Sequence, residues 1–267
     1  MKNRIVIYHA NCVDGWTAAW AVWLKFGDED TEYVPASYGD APPPHQGRDV
    51  VIVDFSYPRE TLSAMHEEAK SLIVLDHHRT AREALADLPY ALFDMERSGA
   101  GMAWDHFHGT RARPWLVDYV EDRDLWRFAL PKSKEVSAWL SAQTRTAFQA
   151  WLDLEEGGRI AAIERGTAVL VYLDRYVSEM AQQARTASLE GYDSIPIVNA
   201  PYINTSEVVG HLAESAPFAV GWFQRKDGVY QYSLRSRGEV DVSEIAKRYG
   251  GGGHKGAAGF TSDRQLW

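Results

Sequence analysis

The sequence has one cysteine, no long hydrophobic run and no excess of positive charge. Cys12 has no second cysteine to pair with, which excludes an intramolecular disulfide. No apolar stretch approaches the roughly 20 residues that a membrane helix needs, and even residues 168–177 are interrupted by Asp174 and Arg175. The first residues run into a strand-like segment instead of the apolar region of a signal peptide. We therefore expect a cytoplasmic protein that needs no covalent cross-links.

The formal net charge of −9 argues against a protein that grips long duplex nucleic acid, because phosphate neutralisation supplies most of the non-specific affinity. A small phosphorylated ligand held locally remains compatible with this charge. Aromatic residues are abundant, with ten Trp and thirteen Tyr, and aromatic faces can stack nucleobases. Trp16 and Trp126 each follow an acid of interest within a few positions, so both base stacking and simple packing are open for them.

Three apolar segments in the first third of the chain each end in polar, ionisable residues. Helix-like segments separate them, which predicts a parallel sheet with right-handed crossovers. The carboxyl ends of such strands lie at one edge of the sheet, where ligands of open α/β folds bind. The segments are residues 5–8, followed by His9, Cys12 and Asp14; residues 50–53, followed by Asp54; and residues 73–75, followed by Asp76, His77 and His78.

Carboxylates and imidazoles gathered at one sheet edge suit a pair of divalent cations. Mixed Asp and His ligands are typical of Mn²⁺ and similar first-row ions, and a shared carboxylate can bridge two ions. Such a pair activates water and neutralises charge at phosphorus, as phosphoester hydrolysis requires. Any single acid could instead cap a helix or turn. The expected set is His9, Asp14, Asp54, Asp76, His77, His78 and one of Asp122 or Asp124, with Asp122 preferred.

The pattern of the chain predicts three segments. Residues 1–133 form the α/β domain with the parallel sheet, and residues 134–191 read as a mainly helical cover and connector. Residues 192–267 read as a smaller α/β domain with a mixed sheet, in which strands at 218–223 and 229–234 form a hairpin. A helix at 241–249 is followed by the glycine-rich run 250–259 and a final short strand.

The glycine-rich run reads as a phosphate cradle. Glycine lets backbone N–H groups approach an anion closely, and His254 adds a charge-assisted donor. A mobile hinge is the alternative, and the adjoining basic residues favour the cradle. The candidate substrate-binding residues are Arg235, Ser236, Gly251, Gly252, Gly253 and His254.

With these motifs in order along nearly the whole chain, the sequence resembles the DHH phosphoesterases that carry a C-terminal DHHA1 domain. The resemblance rests on the triplet Asp76-His77-His78 and on the glycines before His254. It also rests on Asp14-Gly15, Asp54 and the acid at position 122 or 124. It implies two divalent cations, Mn²⁺ first, with Mg²⁺, Co²⁺ or Zn²⁺ as alternatives. One ion would be held by His9, Asp54 and a residue of the first loop, and the other by Asp14, Asp54, His77 and the fourth acid.

The resemblance also assigns roles within the triplet and across the second domain. His78 would face the phosphate, and Asp76 would orient its neighbours instead of binding a metal directly. Arg235 and His254 would hold the phosphate or terminal nucleotide.

The first loop departs from the family's usual pattern at Cys12. Many members have two acids separated by one residue, whereas this chain has Cys12 at the position of the earlier acid and keeps the later one as Asp14. A thiolate ligand and a small packing residue both fit this position. Relatives with a His-x-x-Cys-x-Asp-Gly loop exist within the family, which favours variation over degeneration.

These observations together predict an enzyme that hydrolyses phosphodiester bonds in short oligonucleotides or in cyclic and linear dinucleotides. One alternative is a phosphoanhydride hydrolase acting on polyphosphate or pyrophosphate, which the same metal pair could serve. The other is a nucleotide-binding sensor whose metal site is weakened at Cys12. The oligomeric state is open, with a homodimer among the options, and the expected partner is a small phosphorylated substrate.

Overall fold

The structure, a computed structural model, describes residues 2–267. The chain forms two compact units, the first extending to Leu170 and the second comprising Val171–Trp267. In this described part of the chain, no helix combines the length and the apolar character needed to cross a bilayer. The three-part division at residues 133 and 191 stays a prediction, because the grouping into two units draws no boundary around a connector.

The first unit is built on a five-stranded parallel sheet. Its strands are β1 (Arg4–His9), β2 (Thr31–Ala36), β3 (Asp49–Val53), β4 (Ser71–Asp76) and β5 (Ala91–Phe93). Their order is β2-β1-β3-β4-β5, and every neighbouring pair is parallel. The predicted parallel sheet is thus confirmed. Since β1, β3 and β4 are adjacent, the residues that follow them meet at one edge.

Helices cover both faces of this sheet. They are α1 (Val13–Phe26), α2 (Arg59–Glu68), α3 (Arg79–Leu85), α4 (Gly99–His108), α5 (Trp115–Asp124), α6 (Ser133–Ser141) and α7 (Phe148–Gly157), and α8 (Arg159–Ala181) crosses the division between the units. Successive strand residues point to opposite faces. Val6 and Val51 pack with α1, α4 and α5, whereas Ile5 and Ile7 pack with α2 and α3. Burial on both faces explains why these strands read as continuous apolar runs.

Two strands of the first sheet have no counterpart in the sequence prediction. β2 contains Pro35 and lies at the edge of the sheet, where a missing N–H costs least. β5 has three residues, Ala91–Phe93, and is also an edge strand. Both lack the long apolar run that marks a central strand.

The second unit contains a six-stranded mixed sheet, which confirms the predicted architecture. Its strands are β6 (Arg185–Leu189), β7 (Tyr192–Asn199), β8 (Ala219–Gln224), β9 (Tyr230–Arg235), β10 (Gly252–His254) and β11 (Ala257–Ser262), in the order β10-β11-β9-β8-β7-β6. The pair β7 and β8 is parallel and the other neighbouring pairs are antiparallel. Two helices, α9 (Thr205–Leu212) and α10 (Val242–Arg248), pack on the sheet.

The segment 134–191, predicted to be mainly helical, ends in a strand, β6, that the sequence analysis did not identify. This strand alternates between exposed polar residues and the inward-facing Ala187 and Leu189, and it pairs with β7. β6 has five residues and only two inward-facing apolar positions, so its alternation of polar and apolar residues is too short to be recognised after the long helix α8.

Candidate metal centre

Asp54 lies where the carboxyl ends of the central strands meet. It directly follows β3, is 1% exposed and has a φ of 55°, which few residues other than glycine adopt. Its Oδ1 is 3.1 Å from Nε2 of His77, and its Oδ2 is 3.6 Å from Nδ1 of His9. One carboxylate therefore joins the histidines that end β1 and follow β4.

Three groups of donor atoms lie at this edge of the first unit. The ligand atoms of each group lie within 4.8 Å of one another, and the groups are His9, Cys12 and Asp54; Asp14, His77 and Asp124; and Asp54, Asp76 and His78. The first two groups correspond to the two ligand sets that the family resemblance implies, and Asp54 of the first group contacts His77 of the second. Metal binding by these residues stays a prediction, but the structure does bring them together.

Asp14 is held by the beginning of a helix distant in sequence. It lies in the first turn of α1, is 1% exposed, and its two carboxylate oxygens accept hydrogen bonds from the N–H groups of Gly99 (2.7 Å) and Ala100 (2.9 Å). The N-terminus of α4 thus stabilises a buried negative charge. Ser98 caps this helix, and its hydroxyl accepts a hydrogen bond from the N–H of Gly101.

Gly99 also permits a close approach to the acids. A Cβ at this position would lie 2.4 Å from Cβ of Asp54 and 2.9 Å from Oδ2 of Asp14. The sequence marks Ser98-Gly99-Ala100 as a helix start but gives no sign that α4 reaches Asp14, 85 residues earlier. Gly99 and Ala100 are therefore site residues that sequence reasoning missed.

The geometry favours Asp124 over Asp122, the acid that the sequence analysis prefers. Oδ2 of Asp124 is 3.5 Å from Nε2 of His77, so Asp124 belongs to the second donor group. The Asp122 carboxylate instead accepts hydrogen bonds from the segment after α5, namely from the N–H groups of Ala129 and Leu130 and the hydroxyl of Ser133. Residues two apart point about 200° apart on a helix, so only one of the two acids can face His77.

Asp76 supports its neighbours through a closed set of hydrogen bonds. Its Oδ1 contacts Nδ1 of His78 at 2.7 Å and accepts the N–H of His77 at 2.7 Å, and its Oδ2 accepts the hydroxyl of Ser56 at 2.5 Å. Burial favours the neutral acid, but the charge and hydrogen bond of His78 outweigh it and lower the pKa of Asp76 to about 2. This geometry supports the expected orienting role. Ser56, another residue missed in the sequence, fixes the acid from the opposite side.

The electrostatics of the centre reflect crowded carboxylates. Burial and the charges of Asp54 and Asp124 raise the pKa of Asp14 well above its usual value. Burial disfavours the charged form of His77, but its hydrogen bond with Asp54 and the charges of Asp124, Asp54 and Asp14 raise its pKa to about 10. Burial and the same three acids raise the pKa of the Cys12 thiol. The edge carries an excess of negative charge that a cation would relieve.

One structural observation supports the fit of these residues to a divalent cation. Oδ2 of Asp54 is buried and has no hydrogen-bond partner among residues 2–267. A buried carboxylate oxygen without a partner is costly, and such a group is satisfied when it coordinates a metal. His9 and Cys12 lie beside this oxygen, so a cation there would have three donors of suitable type.

In the second unit, Arg235 ends β9. Its guanidinium donates to Oγ of Ser206 at 2.6 Å and to the carbonyl of Leu234 at 2.8 Å. The neighbouring Ser236 is 5% exposed, and its hydroxyl donates to the carbonyl of Pro217 and accepts from the N–H of Gly238. The Ser236 contacts favour a structural role over the predicted substrate contact, whereas phosphate binding by Arg235 stays a prediction.

Part of the glycine-rich run forms a strand. β10 pairs with β11 in the register Gly252 to Gly259, Gly253 to Ala258 and His254 to Ala257. The N–H of Gly251 donates to the carbonyl of Ala246 in α10, and substrate contact by Gly251 stays a prediction.

Close packing explains these glycines physically. A Cβ at Gly251 would lie 2.1 Å from the carbonyl oxygen of Gly259, and one at Gly253 would lie 2.5 Å from that of Ala257. The run therefore permits a strand to pass against its neighbour and the end of a helix. Substrate contacts by Gly252, Gly253 and His254 stay predictions.

Comparison with known proteins gives one domain match and one related sequence. A family model described as the DHHA1 domain matches residues 199–266. The uncharacterized protein R106 of Acanthamoeba polyphaga mimivirus is 30% identical over 283 residues, which cover 96% of this chain and 66% of the viral protein. This chain thus spans just under two thirds of that relative.

Solved structures similar to the chain share its fold. The DHH domain of a member of the s1p family of ribosomal proteins has a TM-score of 0.60 at 14% identity, with 97% of this chain and 82% of that chain covered. A pGpG-specific phosphodiesterase from Vibrio cholerae has a TM-score of 0.53 at 14% identity, with 97% and 93% covered. RecJ from Thermus thermophilus in complex with Mn²⁺ has a TM-score of 0.52 at 17% identity, with 97% and 49% covered.

Proposed function

We propose that the chain is a DHH phosphoesterase with a C-terminal DHHA1 domain, and that it acts as a divalent-metal-dependent phosphodiesterase. Its substrates are short oligonucleotides or cyclic and linear dinucleotides. The observation that carries the proposal is the pair of donor groups around Asp54, one with His9 and Cys12 and the other with Asp14, His77 and Asp124. Mn²⁺ is the ion we propose, since it accepts mixed oxygen and nitrogen ligands.

A bound pair of divalent cations would supply positive charge for the phosphate oxygens and lower the pKa of water. The chain's own residues supply the geometry. Asp54 contacts His9 and His77, and the N-terminus of α4 fixes the orientation of the Asp14 carboxylate and opposes the rise in its pKa. Asp76 orients His78 through Nδ1, and in this proposal His78 would face the phosphate.

The size of the substrate follows from charge. The net charge of −9 disfavours long polyanions, which bind through many phosphates. The name of the Vibrio cholerae structure, a pGpG-specific phosphodiesterase, and the manganese in the RecJ structure agree with the proposed substrate class and ion.

The test is a hydrolysis panel with Mn²⁺ that includes pApA, cyclic dinucleotides, oligonucleotides of increasing length and inorganic polyphosphate. We expect dinucleotides and short oligonucleotides to be cleaved fastest, with Asp54→Ala losing at least about 1,000-fold in kcat. Asp153→Asn, at an exposed acid of the same unit, is the matched control and should retain wild-type activity.

Three outcomes would contradict the proposal. Polyphosphate hydrolysis far ahead of every dinucleotide would assign a phosphoanhydride hydrolase. Tight nucleotide binding without turnover under any divalent ion would assign a sensor. Near wild-type activity of Asp54→Ala would exclude a centre that is built around this carboxylate.

A further inference from the structure

Tyr38 is a large aromatic side chain exposed beside the candidate metal centre. It is 56% exposed and lies two residues after β2. The turn that carries it is closed by two hydrogen bonds between Ser37 and Asp40, one from the N–H of Ser37 to the Asp40 carboxylate (2.7 Å) and one from the N–H of Asp40 to the Ser37 carbonyl (3.0 Å). Tyr38 is thus presented from a tight turn.

The ring of Tyr38 contacts two histidines of the centre. Its centroid is 5.6 Å from that of His9 and 6.0 Å from that of His78, in edge-to-face geometry, and 5.0 Å from that of Phe55. The side chains of His9 and His78 are 26% and 14% exposed, so they form a solvent-facing edge of the centre. Within this unit, Tyr38 therefore lies next to the solvent-exposed side of the His9 and His78 imidazoles, where a ligand would approach them.

Phe55 and Trp16, two other aromatic residues near the centre, are buried. Phe55 is 1% exposed and packs beneath His9 and Tyr38. Trp16 is 5% exposed and stacks on Phe148 at 4.4 Å, which favours packing over the base stacking that the sequence leaves open.

We propose that Tyr38 forms a nucleobase subsite in which its ring stacks on the base adjoining the phosphate bound at the centre. The inference rests on the proposed function and adds a contact for the base. In a nucleotide, one sugar separates the base from the phosphate. The ring of Tyr38, which contacts His9 and His78, is near enough to the centre to reach that base. Stacking depends on the π-face that all bases share, so the subsite accepts purines and pyrimidines alike.

The test compares binding of AMP with binding of ribose 5-phosphate, which carries the same phosphate without the base. Isothermal titration calorimetry in Mn²⁺ gives both dissociation constants for wild type, Tyr38→Ala, Tyr38→Phe and the control Tyr172→Ala. Tyr172 is an exposed tyrosine on α8, 70% exposed, and outside the centre. We expect wild type to bind AMP about 10-fold more tightly than ribose 5-phosphate.

Tyr38→Ala should abolish that preference while its affinity for ribose 5-phosphate stays within about twofold of wild type. Tyr38→Phe and Tyr172→Ala should keep the preference, because both retain an aromatic ring at position 38. The subsite is overturned if Tyr38→Ala keeps the preference, if wild type shows none, or if Tyr38→Ala weakens both ligands equally, since that pattern assigns Tyr38 to support of His9 and His78.

The proposed function is judged separately by hydrolysis of pApA by wild type. Absence of turnover combined with a base preference that depends on Tyr38 would refute the phosphodiesterase and retain the subsite. Hydrolysis of pApA combined with a base preference that persists in Tyr38→Ala would retain the phosphodiesterase and refute the subsite.

Discussion

The carboxyl edge of the first sheet and the glycine-rich end of the second unit differ in whether their polar groups are hydrogen-bonded within the protein. At the first edge, Asp14, Asp54 and His77 are buried together, and an oxygen of Asp54 has no hydrogen-bond partner among residues 2–267. At the second, the hydroxyl of Ser236 and the N–H of Gly251 are both used by the protein itself. The first edge leaves a buried carboxylate oxygen that a cation could satisfy, whereas the second uses its polar groups in close packing of the backbone.

The distribution of charge follows the same division. The first unit has 18 basic and 26 acidic residues, and the second has 10 and 11, so most of the net negative charge belongs to the first unit. Excess negative charge favours cation binding and opposes anion binding. Under the proposed function, the first unit would therefore need bound cations to attract an anionic substrate.

The largest expected effect separates Asp124 from Asp122. Asp124→Asn should lower activity by more than the roughly 10- to 100-fold that loss of an outer hydrogen-bond partner costs, because a candidate ligand is lost. Stability without metal should be unchanged or higher, since repulsion among the acids is relieved. Asp122→Asn should instead lower the free energy of unfolding by about 1–3 kcal/mol, because its buried hydrogen bonds to the following segment are weakened.

Manganese titration calorimetry and denaturant unfolding of the metal-free variants check this pair. If Asp122→Asn lost metal affinity and Asp124→Asn lost only stability, the assignment of the fourth acid would be reversed.

A second prediction concerns Gly99. Gly99→Ala should force α4 away from Asp54 and Asp14, with a stability loss of about 1–3 kcal/mol from overpacking and a marked drop in Mn²⁺ affinity. Gly157→Ala is the control, because a Cβ at Gly157 meets no atom within 4 Å. Unfolding curves and metal titrations on both variants provide the readouts. Wild-type metal affinity in Gly99→Ala would show that the position of α4 does not matter to the centre.

Gly251→Ala provides the contrasting case in the second unit. A Cβ there meets backbone and Phe260, which cannot move away as a flexible side chain can. We expect destabilisation of about 1–3 kcal/mol or more with unchanged Mn²⁺ affinity. Denaturant unfolding and metal titration measure the two quantities. An unchanged unfolding free energy would refute the packing explanation of the glycine run.

The smallest expected effect is the pH dependence of the pair formed by Asp76 and His78. The pKa of Asp76 falls from 3.8 to about 2, so its contribution to stability is present above about pH 3.8 and is lost as the pH falls through about 2. Burial opposes the charge of His78, but Asp76 raises its pKa above 6.5, so its contribution is present below 6.5 and is lost as the pH rises through the folded value.

Denaturant unfolding of metal-free wild type and Asp76→Asn across pH therefore should show the largest stability difference between about pH 4 and 6.5. The His78 pKa, followed by NMR, should fall in the variant. A stability difference that does not vary with pH would mean that the pair acts without its charges.

The central strands and the two-domain architecture follow from the sequence because β1, β3 and β4 are buried on both faces and read as apolar runs. Edge strands such as β2 and β6 carry weaker patterns, and the prediction fails there. The sequence analysis also expected His9, Asp14, Asp54 and His77 as ligands, since each follows an apolar segment, whereas it left Cys12 and Asp124 open.

Residues whose role depends on tertiary contacts were not foreseen. Gly99 and Ala100 serve Asp14 through the packing of α4, and Ser56 serves Asp76 across the neighbouring strand end. The choice between Asp122 and Asp124 depends on the rotation of α5, which the local sequence does not determine.

The number of Mn²⁺ ions bound per chain tests the central claim most directly. Native mass spectrometry of chelator-stripped and reloaded protein should give two ions for wild type and for the control Asp153→Asn, and one or none for Asp54→Asn, because that carboxylate joins both donor groups. Fewer than two ions in wild type, or two ions retained with unchanged affinity in Asp54→Asn, would contradict the account.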